Sequence, residues 1–371
     1  MYGNQVCDFR KGRIWRMTRV QRMIAARELT DTQAAILSKP SNIFYLSGYT
    51  GEGLALVAPG LCAIVTDFRY TEQASQEAPD FQVLGIEGSV THLQKAFDAL
   101  RRLGVTTVYY EDDEFTVRTH LKAVETFEGM QLLPLGNAVE QLRKRKDAEE
   151  IRRIEAACRI SCETFVRVLP QIREGMTEKE LARILEYDMV FHGADKLAFN
   201  VIVAAGANGS KPHAVPTEYR IRKGDMITMD FGAKVQGYCA DMTRTVALGA
   251  PSDEMRKVYG LVLKAQMAAQ DAVKAGAQGA AVDRVARDLI NANGYEGRFG
   301  HGLGHSLGID IHEDPRLSPL SRDTLEENQL VTVEPGVYLP GIGGVRIENT
   351  VVVTKDGCRS LITSARELII L

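Results

Sequence analysis

The chain has 371 residues, is 45% hydrophobic and 25% charged, and carries a formal net charge of −3 with a pI near 6.2. That length favours two domains with a sizeable core, and the near-neutral balance gives no footing for nucleic acid or an acidic membrane surface. No run approaches the ~20 apolar residues of a membrane span, and six scattered cysteines without a C-x-x-C pair point to reduced thiols in a cytoplasm.

Residues 1–16 are basic, with neither an apolar core nor a cleavage site, so they do not read as a secretory signal. An amphipathic helix is expected over 17–29 and a strand over 34–38, after which Pro40-Ser41-Asn42 turns into 43–46. Strands over 54–58 and 62–66 flank a Pro59-Gly60 turn. A helix over 71–78, a strand over 81–86, a helix over 90–103 ended by Gly104 and a strand over 105–110 follow. This alternation means an α/β first domain. Asp67, Glu111, Asp112 and Asp113 read as solvated strand-end loops, and no ligand constellation shows here.

The Leu132-Leu133-Pro134-Leu135-Gly136 punctuation places the division near 138/139. Beyond it, a charged amphipathic helix is expected over 144–169, and Thr177 with Glu180 forms a capping-box pattern opening another. Strands are expected over 199–204 and 226–230, helices over 252–275 and 280–293, and strands around Val331 and over 345–353. Two strand-rich stretches, each near a helical pair, suggest a duplicated curved sheet.

The chemistry concentrates in four stretches. In DMITMDFGAKVQGYCADMTRT, Asp230 ends an apolar run and Asp241 lies beyond the turn of an expected hairpin, strand 226–230 returning over 238–248. Two carboxylates brought together in an apolar site repel, and a multivalent cation removes that conflict. The stretch FGHGLGHSLGIDIHE carries His301, His305 and His312; LVTVEPGVY carries Glu334; GGVRIENT carries Arg346 and Glu348. Four carboxylates and a histidine form an oxygen-rich ligand set suited to Mn, Co, Fe or Zn in pairs. Cys239 reads as a small packed side chain, since Asp241 lies two residues on. The glycines from Gly300 to Gly308 miss the dinucleotide fingerprint and its strand-to-helix setting, so they read as sites of close backbone approach to the metals.

The order of Asp230, Asp241 eleven residues on, His305 within GHxxG, Glu334 within VEPG and Glu348 within GGVRIEN resembles the pita-bread metallopeptidases, in their proline-specific branch of aminopeptidase P and prolidase. The segment Asn42-Ile43-Phe44-Tyr45-Leu46-Ser47-Gly48-Tyr49 is similar to their creatinase-type first domain. The resemblance implies an α/β creatinase-like domain over 17–138 and an α+β pita-bread domain, with a pseudo-two-fold curved antiparallel sheet, over 139–371. Residues 1–16 become an extension, or Met17 the natural start, because family members open on a segment like Met17-Thr18-Arg19.

The resemblance further implies two divalent ions, Mn or Co by preference, with Zn or Fe as alternatives. Asp241 and Glu348 would bridge them, Asp230 complete one, and His305 with Glu334 the other. Glu334 would also shuttle a proton. His213 and His312 would hydrogen-bond the substrate carbonyl, Arg346 would pair with a site carboxylate, His301 would support the substrate site and Arg316 would hold a substrate carboxylate. Tyr338, Phe199 and Tyr238 read first as core residues beside a proline pocket. The activity implied is hydrolysis of Xaa–Pro bonds in dipeptides or at the amino terminus of short peptides, by a cytoplasmic enzyme, often a dimer, acting on proline-containing peptides. A creatinase-like reaction is disfavoured by the complete ligand set, methionine aminopeptidase by the large first domain, and a metal-free binding module by ligand retention.

Overall fold

A computed structural model describes residues 17–371, so the expectation for 1–16 lies outside the described residues. The chain forms two compact units, divided between Arg143 and Lys144.

The first unit begins with α1 (Arg19–Arg27), capped by Thr18 in a full capping box with Gln21. A six-stranded mixed sheet follows in the order β4-β3-β2-β1-β5-β6, built from β1 (Gln33–Leu37), β2 (Leu54–Ala58), β3 (Leu61–Thr66), β4 (Gln82–Gly85), β5 (Thr107–Tyr110) and β6 (Gln131–Pro134). Interleaved are α2 (Pro40–Ser47), α3 (Thr71–Glu77), α4 (His92–Arg102), α5 (Val117–Thr126) and α6 (Ala138–Arg143). Ile36, Leu56, Val65, Leu100, Val108 and Phe127 anchor its core.

Three sequence expectations change here. Pro40-Ser41-Asn42 is not a turn leading into 43–46 but the start of one helix, because proline at the first helical position pre-sets φ and Gly48 supplies the left-handed cap at φ 83°. Glu111 is not solvated: it is 1% exposed. Its carboxylate accepts from Ser38 N and Lys39 N, each at 2.6 Å, and from Asn42 Nδ2 at 2.7 Å. The unit also extends to Arg143, past the expected 138. The reason is α6, which buries Val139 and sends the Arg143 guanidinium to Ser41 Oγ and Asn42 Oδ1.

The second unit has the same plan twice. First come α7 (Ala148–Val168) and α8 (Glu178–Phe191), both opened by capping boxes, on Asp147 and on Thr177. After β7 (Lys196–Leu197) and β8 (Ile202–Ala205), β9 (Met226–Phe231) starts the expected hairpin. The hairpin divides: β10 (Ala233–Val235) turns through Gln236 and Gly237, both at positive φ, into β11 (Tyr238–Cys239), and β12 (Met242–Ala247) returns along β9. One sheet runs β12-β9-β8 and another β11-β10-β7. The break falls at Gly232, where a Cβ would lie 1.8 Å from the Ala240 carbonyl oxygen, so only glycine lets the strands pass.

Then come α9 (Asp253–Asp271) and α10 (Gly279–Ile290), followed by β13 (Gly304–Ser306), β14 (Glu313–Leu317), β15 (Leu330–Val333), β16 (Gly336–Leu339), β17 (Gly343–Arg346), β18 (Asn349–Val353) and β19 (Cys358–Ser360). β15, β18 and β19 form a three-stranded antiparallel sheet, in the order β15-β18-β19, and β13 pairs with β14 and β16 with β17. The continuous strand expected over 345–353 is two strands, broken at Ile347–Glu348. Val258, Val262, Val282, Val331, Val333, Val345 and Val351 share the core of this half. The halves are stitched where the carboxylates lie: Glu348 N donates to the Thr243 carbonyl at 3.1 Å, and Thr350 Oγ1 to the Asp241 carbonyl at 2.8 Å.

Candidate metal centre

Strand ends and strand breaks place the acidic groups. Asp230 is the penultimate residue of β9, opposite Thr243 in β12. Asp241 sits in the gap between β11 and β12, Glu334 just past β15 and Glu348 in the gap between β17 and β18. At Asp241, Glu334 and Glu348 the backbone leaves its ladder, and a side chain can turn inward without interrupting the core. One ligand atom from each of Asp230, Asp241 and Glu348 lies within 4.8 Å of the others. His305, in β13, places Nε2 3.6 Å from Asp241 Oδ2 and 3.4 Å from Glu334 Oε1. The five expected ligands therefore converge.

Their protonation argues that something cationic belongs between them. Burial first, then Glu348, raises Asp241 well above the ordinary carboxylate range; burial, then Glu334, does the same to Glu348. Glu334 is pushed up to about 7, chiefly by burial. His305 is driven down to about 3 by burial, and its Nδ1 lies 3.0 Å from the Ser306 carbonyl. A carbonyl only accepts, so Nδ1 carries the proton and Nε2 turns a lone pair toward two carboxylates. Lone pairs facing one another across a buried gap need a cation. Among the described residues, Asp230 Oδ1 and Glu348 Oε1 are buried without a hydrogen-bond partner, which fits the same requirement. The donor set suits divalent metal ions.

Four of the candidate ligands, Asp230, Glu348, Glu334 and His305, are each anchored by one side-chain atom. Arg346 Nη2 donates to Asp230 Oδ2 at 2.6 Å. Thr243 Oγ1 donates to Glu348 Oε2 at 2.7 Å and accepts from Arg346 Nε at 3.1 Å. Thr332 Oγ1 donates to Glu334 Oε1 and accepts from His305 N, both at 3.0 Å. Sequence reasoning missed both threonines. Each lies two residues from a ligand in a strand-like run, and the period of two was the signal available.

The cluster floors a cavity of about 500 Å³, whose lining includes Phe199, Ile202, His213, Ile311, His312 and Arg316. His312 stands with its ring at 4.5 Å from His305, edge to face. His213 and Arg316 reach the lining, and among the described residues the Arg316 guanidinium has only a loose ionic contact, to Asp314 at 3.9 Å. His301 lines the cavity as well, but its polar atoms are taken. Its Nδ1 lies 2.8 Å from the Gly302 carbonyl and its Nε2 2.9 Å from the Tyr338 hydroxyl. Tyr338 accepts from Arg346 Nη1 at 3.0 Å and so gives its own proton to His301. His301 therefore offers the cavity a ring face rather than a free nitrogen, and Tyr338, expected first as a core residue beside a proline pocket, braces Arg346 from behind. Tyr238 is core, donating to Glu150 at 3.0 Å. Cys239 is not among the lining residues, and burial pushes its thiol up to about 11.

Known proteins share this arrangement. The model of the creatinase/prolidase N-terminal domain matches residues 16–145, and that of metallopeptidase family M24 matches residues 152–355. A Xaa-Pro dipeptidase from Pyrococcus horikoshii is 32% identical over 95% of this chain and 98% of its own length. Among solved structures, a Xaa-Pro dipeptidase from Bacillus anthracis superposes with a TM-score of 0.91 at 36% identity, covering 95% of this chain and 99% of the other. An X-Pro aminopeptidase from Thermotoga maritima gives 0.88 at 37%, covering 94% and 100%. The creatinase-like and pita-bread folds that the motifs implied are the folds present. The chain belongs to metallopeptidase family M24, a metal-dependent peptidase with a creatinase-type domain ahead of its pita-bread domain.

Proposed function

We propose that the chain hydrolyses the Xaa–Pro bond of dipeptides and of short peptides at their amino terminus. The observation that carries this is the convergence of Asp230, Asp241, His305, Glu334 and Glu348 at the floor of a cavity walled by Phe199, Ile202 and the His301 ring. Asp241 and Glu348, drawing on opposite halves of the domain, would bridge two divalent ions; Asp230 would complete one, and His305 with Glu334 the other. Ions bound there supply the charge that activates water and polarises the scissile carbonyl.

The chain's own groups do the rest. His213 and His312, at the cavity wall, donate to the carbonyl oxygen as it becomes tetrahedral. Water adds its oxygen to the carbonyl carbon, and Glu334 takes the displaced proton. That proton passes to the proline nitrogen as the C–N bond breaks. Proline's nitrogen has no hydrogen before cleavage, so the site need satisfy no donor there and only has to accept a ring. Arg316, held by little else, is the cation placed to receive a terminal carboxylate.

The test is kcat/KM on Ala-Pro and Ala-Pro-Ala after chelator stripping and reloading with Mn. Metal-dependent cleavage of either supports the reading, and no cleavage of either with metal bound overturns it. Manganese or cobalt as the working metal, a homodimer and a cytoplasmic setting complete the proposal. Unpaired thiols at Cys158, Cys162, Cys239 and Cys358 support a reducing compartment.

A further inference from the structure

Two histidines of the centre sit on one hairpin, and a buried lysine ties its two strands. β13 ends on His305-Ser306 and β14 begins after His312 on Glu313, with the pairing shifting register between His305 and Ser306. A slipped ladder does not by itself fix where His312 falls against His305. The loop is held at Gly308 by Cys239 N and at Ile309 by Lys234, and Lys146, ahead of α7, adds the constraint that joins the two strands. Its ammonium donates to Ser306 Oγ at 3.1 Å and to Glu313 Oε2 at 3.1 Å. The side chains of the ion pair are only 1% and 7% exposed. The other oxygen of Glu313 accepts from Asp310 N at 3.1 Å, pinning the loop between the strands. The lysine is fixed in turn, since its backbone N donates to the Asn328 carbonyl at 2.9 Å.

One cation thus grips the residue after His305 and the residue after His312. We propose that Lys146 is a positioning residue, which through Ser306 and Glu313 holds the His312 ring against His305 in the geometry the reaction requires. This rests on the Xaa–Pro reading for its kinetics but not for its geometry. An ammonium buried this completely is expensive to desolvate, and a hydrophobic residue of similar volume would serve stability as well. A fixed register is what the ion pair supplies that an apolar pair would not.

The experiment is a double-mutant cycle on Ala-Pro with Mn-loaded enzyme: wild type, Lys146→Met, His312→Ala and the double variant, with Lys146→Arg as the conservative control. Lys146→Met is expected to lower kcat about 10- to 100-fold, the cost of a misplacement near 1 Å. KM should stay within about twofold, and Lys146→Arg should recover most of the loss. In the double variant Lys146→Met should cost nothing further, because its effect passes through His312. Equal losses in both backgrounds, or a loss confined to KM, overturn the proposal. Should Lys146→Met fail to fold, Lys146→Met with Glu313→Gln removes the carboxylate charge left behind and is held to the same outcomes. Failure of wild type to cleave Ala-Pro counts against the proposed activity alone. The crystal structure of the lysine variant then decides the geometry: His312 displaced from His305 supports the positioning role, and a ring separation kept at 4.5 Å refutes it.

Discussion

Stripping the metal should make the fold sensitive to pH in a direction opposite to that of an ordinary salt-bridged protein. In the metal-free chain Glu334 titrates at about 7 instead of 4.5, chiefly because burial penalises its charge, and Asp241 and Glu348 are displaced the same way. A carboxyl whose folded pKa lies above its unfolded value binds more protons folded than unfolded. Its contribution to stability is therefore complete below about 4.5 and is lost as pH rises through the folded pKa. The displacement of Glu334 from 4.5 to about 7 puts the effect on the order of 3 kcal/mol, and Asp241 and Glu348, which titrate together with it, are displaced in the same direction. Divalent ions favour the ionised carboxylates and cancel the loss. The assay is thermal unfolding of stripped and reloaded protein from pH 5 to pH 8. The difference between the two Tm values isolates the centre from acids elsewhere such as Asp188, which Arg167 holds below the usual range despite its burial. The gap should widen as pH rises. A gap that stays constant or narrows would refute the placing of these carboxyls in one cluster that needs a cation.

Three further outcomes follow from the geometry. Asp241→Ala or Glu348→Ala should empty both ion positions, since each is expected to bridge, and two ions per chain by elemental analysis in either variant would contradict that. Thr243→Val keeps the shape but removes the donor to Glu348 Oε2 and the acceptor of Arg346 Nε; metal affinity by competition with a chelator should fall about 10- to 100-fold, and an unchanged affinity would show that the hydroxyl orients nothing. Arg316→Ala should depress kcat/KM on Ala-Pro far more than on Ala-Pro-Ala, and equal losses would free Arg316 from gripping the terminal carboxylate.

The candidate ligands stand out in the chain because each sits where local pattern and chemistry disagree. A carboxylate ending MITMD or LVTVE costs a buried strand its apolar character, and that conflict is visible without a structure. Their supports could not be read, because Thr243, Thr332 and Tyr338 are good strand formers in strand-like runs and nothing local is violated. Pairing tells them apart: Thr243 stands opposite Asp230 across β9 and β12, and Tyr338 reaches Arg346 only because β16 folds back on β17. The strand breaks escaped for the same reason. Gly232 looks like any strand-end glycine until Ala240 is brought against it, and Glu348 looks like the middle of a strand until its amide is given to Thr243. Glu111 was misjudged in the opposite sense, since charge density suggested solvent while the loop after β1 turns its amides inward to meet it.

The supports also settle why the ligands hold together without collapsing into ordinary hydrogen bonds. Asp230 is tied through Oδ2, Glu348 through Oε2, Glu334 through Oε1 and His305 through Nδ1. In each case one polar atom is fixed by a neighbour, and the side chain is oriented with a second atom left over. For Asp230 and Glu348 that second atom is buried with no partner, and for His305 it is a lone pair. Had the threonines and Arg346 satisfied both atoms, the cluster would be a stable polar core with nothing to bind. Had they satisfied neither, four carboxyls would take up protons and turn on one another. Arg346 keeps the balance: its charge lowers Asp241, Glu334 and Glu348 together while its hydrogen bonds reach Asp230 alone among the acids. A single fixed cation moderates the repulsion yet cannot neutralise four carboxylates. The remaining charge is what selects divalent ions over water in the gap.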